Sequence, residues 1–99
     1  MSEMDDRIKA WLEKVIELNI SKPQLSEPTM KRILRELGYP DSIDNVLLFL
    51  CGSYYAQILQ QSKGYHGSAR AEDEQGGIKL MAQRMVEIKE AYLERRFDV

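Results

Sequence analysis

His66, the one histidine of the chain, lies in Lys63-Gly64-Tyr65-His66-Gly67-Ser68, with Glu72, Asp73 and Glu74 just beyond. A histidine beside a serine and carboxylates has the residue types of a hydrolytic triad or a metal site. A triad needs its base held in one tautomer and an oxyanion hole, and a glycine-flanked histidine is poorly held. The Glu-x-x-His spacing of helical metal sites is missing. His66 therefore reads as a solvated or partner-contacting imidazole. Glu87, Glu90 and Glu94 share one helix face, but Arg84 and Lys89 lie beside them, so they read as a solvated charged face. Cys51 follows the apolar run Leu48-Phe49-Leu50 and reads as a small buried hydrophobe with an inert thiol. A single cysteine allows neither an intrachain disulfide nor a cysteine-based zinc site. The glycines lack the Gly-Lys-Ser/Thr ending of a phosphate loop. No catalytic, metal or cofactor site is expected, and the chain is not expected to be an enzyme.

Two further motifs bear on function. Asp41-Ser42-Ile43-Asp44 resembles the attachment motif of acyl carrier proteins, a resemblance that implies a phosphopantetheine on Ser42. The resemblance covers four residues. A capped helix, Glu27 to Leu37, stands where that family has a long loop, and the helix that follows carries no charge from Asn45 to Ser62 where that family is acidic. Asp41 or Ser42 is therefore read as a helix cap. Residues 29–50 also fit the outline of a helix–turn–helix, with Ile33, Leu37 and Gly38 at its apolar and turn positions. Its second helix, however, would lead with Asp41 and Asp44 toward phosphates and base edges. A diffuse contact through Lys31, Arg32, Arg35, Arg95 and Arg96 is the nucleic-acid alternative.

The segment from Gln61 to Gly77 holds four of the six glycines, and its apolar residues are Tyr65, Ala69 and Ala71. It predicts a glycine-rich loop, with Ser68 capping a short helical turn through Glu74. Bundle connections usually run about 2–8 residues, and longer ones are often functional. Tyr65, His66 and Arg70 offer an aromatic face, an imidazole and a guanidinium, types that anchor interfaces. Leu80, roughly 120° off the stripe of the last helix, extends the patch. These four are the expected partner-binding residues. The alternative is a mobile tether.

Amphipathic helices must carry this loop. Met4, Ile8, Trp11, Val15 and Leu18 recur at helical spacing, widened by Leu12 and Ile16, in a first helix from about Ser2 to Asn19 capped by Ser2. A second starts at Ser26-Glu27-Pro28, turns Met30, Ile33, Leu34 and Leu37 to the core, and stops at Gly38 before Pro40. A third runs from Asp41 or Ser42 to about Gln61. Its apolar residues surround it, which predicts a central helix, with Gly52, Ser53 and Ala56 on its narrowest side. The fourth, Ile78 to about Phe97, carries Ile78, Met81, Met85, Ile88 and Tyr92, and Arg95 and Arg96 suit its negative end. Met81 and Met85 read as core, or else as an adaptable binding groove. The expected core joins Leu47, Leu50, Tyr54 and Ile58 to Trp11, Ile33, Met85 and Ile88.

The expected fold is all-α, a four-helix bundle-like single domain over residues 1–99, at least ~60% helical and without strands. Ninety-nine residues suit one domain, and 43% hydrophobic with 30% charged residues is an ordinary globular composition. Net charge is −2, and none of the blocks 1–22, 23–62, 63–77 and 78–99 departs from balance by more than one charge. Nucleic acid and anionic lipid thus have little to attract them. Met1 to Asp6 has no secretory pattern, and the apolar run Val46 to Cys51 is far shorter than the ~20 residues of a membrane span. These features lead to an expected cytoplasmic, non-enzymatic protein–protein interaction module. It would be an adaptor, inhibitor or assembly subunit of the kind common among accessory proteins of larger complexes and phages. Its partner would be another protein or assembly, with homo-oligomerisation open, and the alternative is a nucleic-acid-associated regulator.

Overall fold

A computed structural model describes residues 3–95, with the side chain of Arg95 left out. Helix makes up 84% of it, and no strand occurs among the described residues. Helix α1 spans Asp6–Ser21 and is followed by a single 3-10 turn at Pro23–Leu25. Helix α2 spans Glu27–Glu36, α3 Ile43–His66 and α4 Ala71–Arg95. The all-α bundle expected from the sequence is the fold observed. At ~1.5 Å per residue the 24 residues of α3 span most of the 45 Å length of the molecule.

The caps explain where helices begin and end. Asp5, not Ser2, caps α1, its side chain accepting from Arg7 N at 2.8 Å; Ser2 lies outside the described residues. Ser26 precedes α2 but makes no side-chain cap; its Oγ donates instead to Asn19 Oδ1 at 2.5 Å. Helix α2 ends where Tyr39 N donates to Leu34 O at 2.9 Å across Gly38. Ser42 caps α3, accepting from Asn45 N at 3.3 Å, while Asp41 pairs with Arg35 at 2.8 Å.

The long glycine-rich loop is corrected. Helix α3 continues to His66 and α4 begins at Ala71, so the connection is residues 67–70. Only Gly67 uses a glycine's freedom there: its φ of 83° is the left-handed stop of α3, and its N–H donates to Lys63 O at 2.8 Å. Gly76 and Gly77 are helical. A Cβ on Gly77 would lie 2.5 Å from Ile58 Cδ1, and one on Gly76 2.8 Å from Met4 Cβ. The pair lets α4 lie close against α3 and the N-terminal segment, and that close packing offsets its poor helix propensity.

The core is rotated from the expected one. In α1 the fully buried residues are Ile8, Leu12 and Ile16; Trp11 and Val15 are half-buried and Leu18 is exposed. Two stripes of helical spacing run side by side on α1, and the aliphatic one took the interior. Met30 and Leu34 of α2 are buried, whereas Ile33 is half-buried and Leu37 is exposed. In α4, Met81, Ile88 and Tyr92 are buried, Met85 is half-buried and Ile78 is exposed. Leu47, Leu50, Tyr54, Ile58 and Ile88 lie in the core as expected.

Inside the core is a polar knot. Asn19 Nδ2 donates to Val15 O at 2.9 Å and to Tyr54 Oη, and Asn19 Oδ1 accepts from Ser26 Oγ and from Tyr92 Oη at 3.3 Å. One side chain thereby ties α1, α3, α4 and the residue before α2. Burial pushes the Tyr54 and Tyr92 hydroxyls above their ordinary value, so both remain neutral donors.

Helix α3 is not surrounded, which is the main departure from expectation. Helix α4 packs along both α1 and α3, and the short α2 covers only part of α3. The outer side of α3 faces solvent.

Candidate functional site

The turn between α3 and α4, where Tyr65, His66 and Arg70 cluster, is engaged from within the chain. Its centre is Asp73, whose side chain has no solvent exposure. Its carboxylate accepts from Asp5 N at 2.7 Å, Ser62 Oγ at 2.5 Å, Arg70 Nε at 3.1 Å and Arg70 Nη2 at 2.9 Å. Ser62, fully buried, accepts in turn from Arg70 N at 2.9 Å. Burial by itself would raise the Asp73 pKa; the Arg70 hydrogen bonds, the Asp5 N–H and the Ser62 hydroxyl outweigh it and bring it down to about 2.

A second layer closes over this centre. His66 Nε2 lies 2.8 Å from Asp5 Oδ2, and Arg7 donates to both oxygens of Asp5. The Arg7 bonds hold the Asp5 carboxyl well below the usual carboxylate range despite its partial burial. The Arg7 guanidinium also covers the Tyr65 ring at 3.8 Å. The four residues expected to bind a partner therefore divide as follows. Tyr65 stacks under Arg7, His66 holds Asp5, Arg70 holds Asp73, and Leu80 is half-buried against the core. Tyr65 and His66 tie the turn to the start of α1, and Arg70 holds the Asp73 carboxylate that accepts from Asp5 N; Leu80 does not join them.

This corner has carboxylates, a histidine and a hydroxyl, yet its geometry is that of a staple. The Ser62 hydroxyl is inaccessible and its proton is committed to Asp73, so it presents no nucleophile. Ser68, the serine nearest His66 in the sequence, is exposed on the turn. No group of three or more histidine, cysteine, aspartate or glutamate side chains suited to a metal ion occurs among the described residues. Arg84 binds Glu87 at 2.8 Å and also Glu17, in keeping with a solvated charged face on α4.

The surface of interest lies on the other side. Turning 100° per residue, the buried side of α3 is Ile43, Val46, Leu47, Leu50, Tyr54, Ile58 and Ser62. The opposite side carries Leu48, 73% exposed, then Gly52, Ser53 and Ala56, also exposed, with the exposed Gln57 and Gln60 toward its C-terminal half. Phe49, Cys51, Tyr55 and Leu59 flank it, half-buried. Leu37 and Tyr39, 64% and 62% exposed, continue the apolar surface past the end of α2. Two grooves meet at Leu48. One, of about 380 Å³, is lined by Leu34, Leu37, Tyr39, Asn45, Leu48 and Phe49. The other, of about 330 Å³, is lined by Asp44, Leu47, Leu48, Cys51, Met85 and Lys89. A third groove, between the N-terminal segment and α4, includes Glu3, Asp6, Lys9 and Lys79 and is mixed in charge.

Sequence reasoning missed this face although its signal was present. The charge-free stretch and the apolar residues all round α3 predict full burial. An apolar surface that another molecule covers leaves the same pattern. No protein-family model, no curated protein and no solved structure matches this chain. None of the described helices is long and apolar enough to cross a membrane.

Proposed function

We propose that this domain is a non-enzymatic protein–protein interaction module, an adaptor or assembly subunit, whose contact surface is the outer face of α3 with Leu37 and Tyr39. One observation carries the proposal. Asn45 to Ser62 contains no charged residue over about five helical turns, yet the helix is open to solvent along one side, with Leu48 73% exposed. Helices that face only water carry charges on that side, and a contiguous exposed apolar surface marks an interaction site. Interface centres are likewise depleted in charge. By contrast, Tyr65, His66 and Arg70 of the α3–α4 turn already have partners within the chain, with Tyr65 left 45% exposed. A cytoplasmic setting fits the lone Cys51 on the edge of this face, since an unpaired, half-buried thiol persists in a reducing compartment.

The test is a paired affinity capture from the native host, with wild-type domain and a Leu48→Asp variant as baits. At least one protein, which includes a second copy of the chain, is expected with the wild type and lost with the variant. The same proteins at the same yield with both baits would refute the assignment of this face.

A further inference from the structure

We draw no further inference here: the strongest candidate, the pair of apolar grooves that meet at Leu48 on the outer face of α3, belongs to the surface already described, and nothing in the structure shows what covers it.

Discussion

Replacing Asp73 with asparagine keeps the size of the side chain and removes its charge from the staple between the α3–α4 turn and the start of α1. The native carboxylate accepts four hydrogen bonds, from Asp5 N, Ser62 Oγ and two nitrogens of Arg70. An amide offers one accepting oxygen, so its NH₂ must face one Arg70 nitrogen together with either the Asp5 N–H, if it replaces Oδ1, or the Ser62 hydroxyl, if it replaces Oδ2. Hydrogen bonds to charged groups contribute about 1.5–3 kcal/mol each. Arg70, 29% exposed, recovers some of its loss from water; the buried Ser62 hydroxyl does not. A loss of about 2–4 kcal/mol at neutral pH is expected. Acidity supplies a second readout. The Asp73 pKa is lowered from 3.8 to about 2, so its contribution is fully present above the higher value and is lost as pH falls through the lower one. That gap corresponds to about 2 kcal/mol, or about 1 kcal/mol once solvent screening at Arg70 is allowed for. Urea unfolding, followed by far-UV circular dichroism near neutral pH and again at about pH 2–3, measures both effects. Equal neutral midpoints for the two proteins would refute the staple, and so would a variant that loses as much stability on acidification as the wild type.

Five other variants separate the packing claims. Gly77→Ala should destabilise by about 1–2 kcal/mol, the collision with Ile58 exceeding the ~1 kcal/mol helix-propensity gain. Gly52→Ala should stabilise the isolated chain by about 0.5–1 kcal/mol, read as a higher urea midpoint, and the opposite order of the two glycines would contradict the close approach at position 77. Leu50→Ala, at the base of the buried side of α3, should cost about 2–5 kcal/mol in the same assay. Leu48→Asp, on the outer side, should change the stability of a single chain by no more than ~0.5 kcal/mol; a Leu50-sized loss would show Leu48 to be core. Tyr65, His66 and Arg70 replaced together by alanine should lower the melting temperature, since Tyr65 and His66 tie the turn to α1 and Arg70 holds Asp73, and an unchanged melting point would show them to be free.

Helix existence and type were legible because local chemistry sets them. Ser42 before Ile43, Pro28 at the start of α2 and Gly38 after it act within a few residues. The rotation of each helix was not legible. In α1 the stripes containing Ile8, Leu12 and Ile16 and containing Trp11, Val15 and Leu18 are both helical, and only the neighbouring helices decide which is buried. The glycines misled for a related reason. Gly67 uses a left-handed φ, which a loop reading expects, but Gly76 and Gly77 serve close helix contact, which depends on Met4 and Ile58 far away in sequence. Lengthening the loop by those two glycines hid the role of Arg70, His66 and Asp73 as an internal staple. The candidate surface was half legible. The absence of charge from Asn45 to Ser62 could be read directly, whereas whether the apolar side is covered by this chain or by another requires the packing of α2 and α4.

Photocrosslinking from position 48 in the native host measures the central claim most directly. A benzophenone-bearing residue replaces Leu48 in one strain and Arg32, exposed on α2, in another. Discrete crosslinked protein products are expected from position 48 and not from position 32. Equal yields from the two positions, or none from position 48, would contradict the assignment of the outer face of α3 as the surface this protein works through.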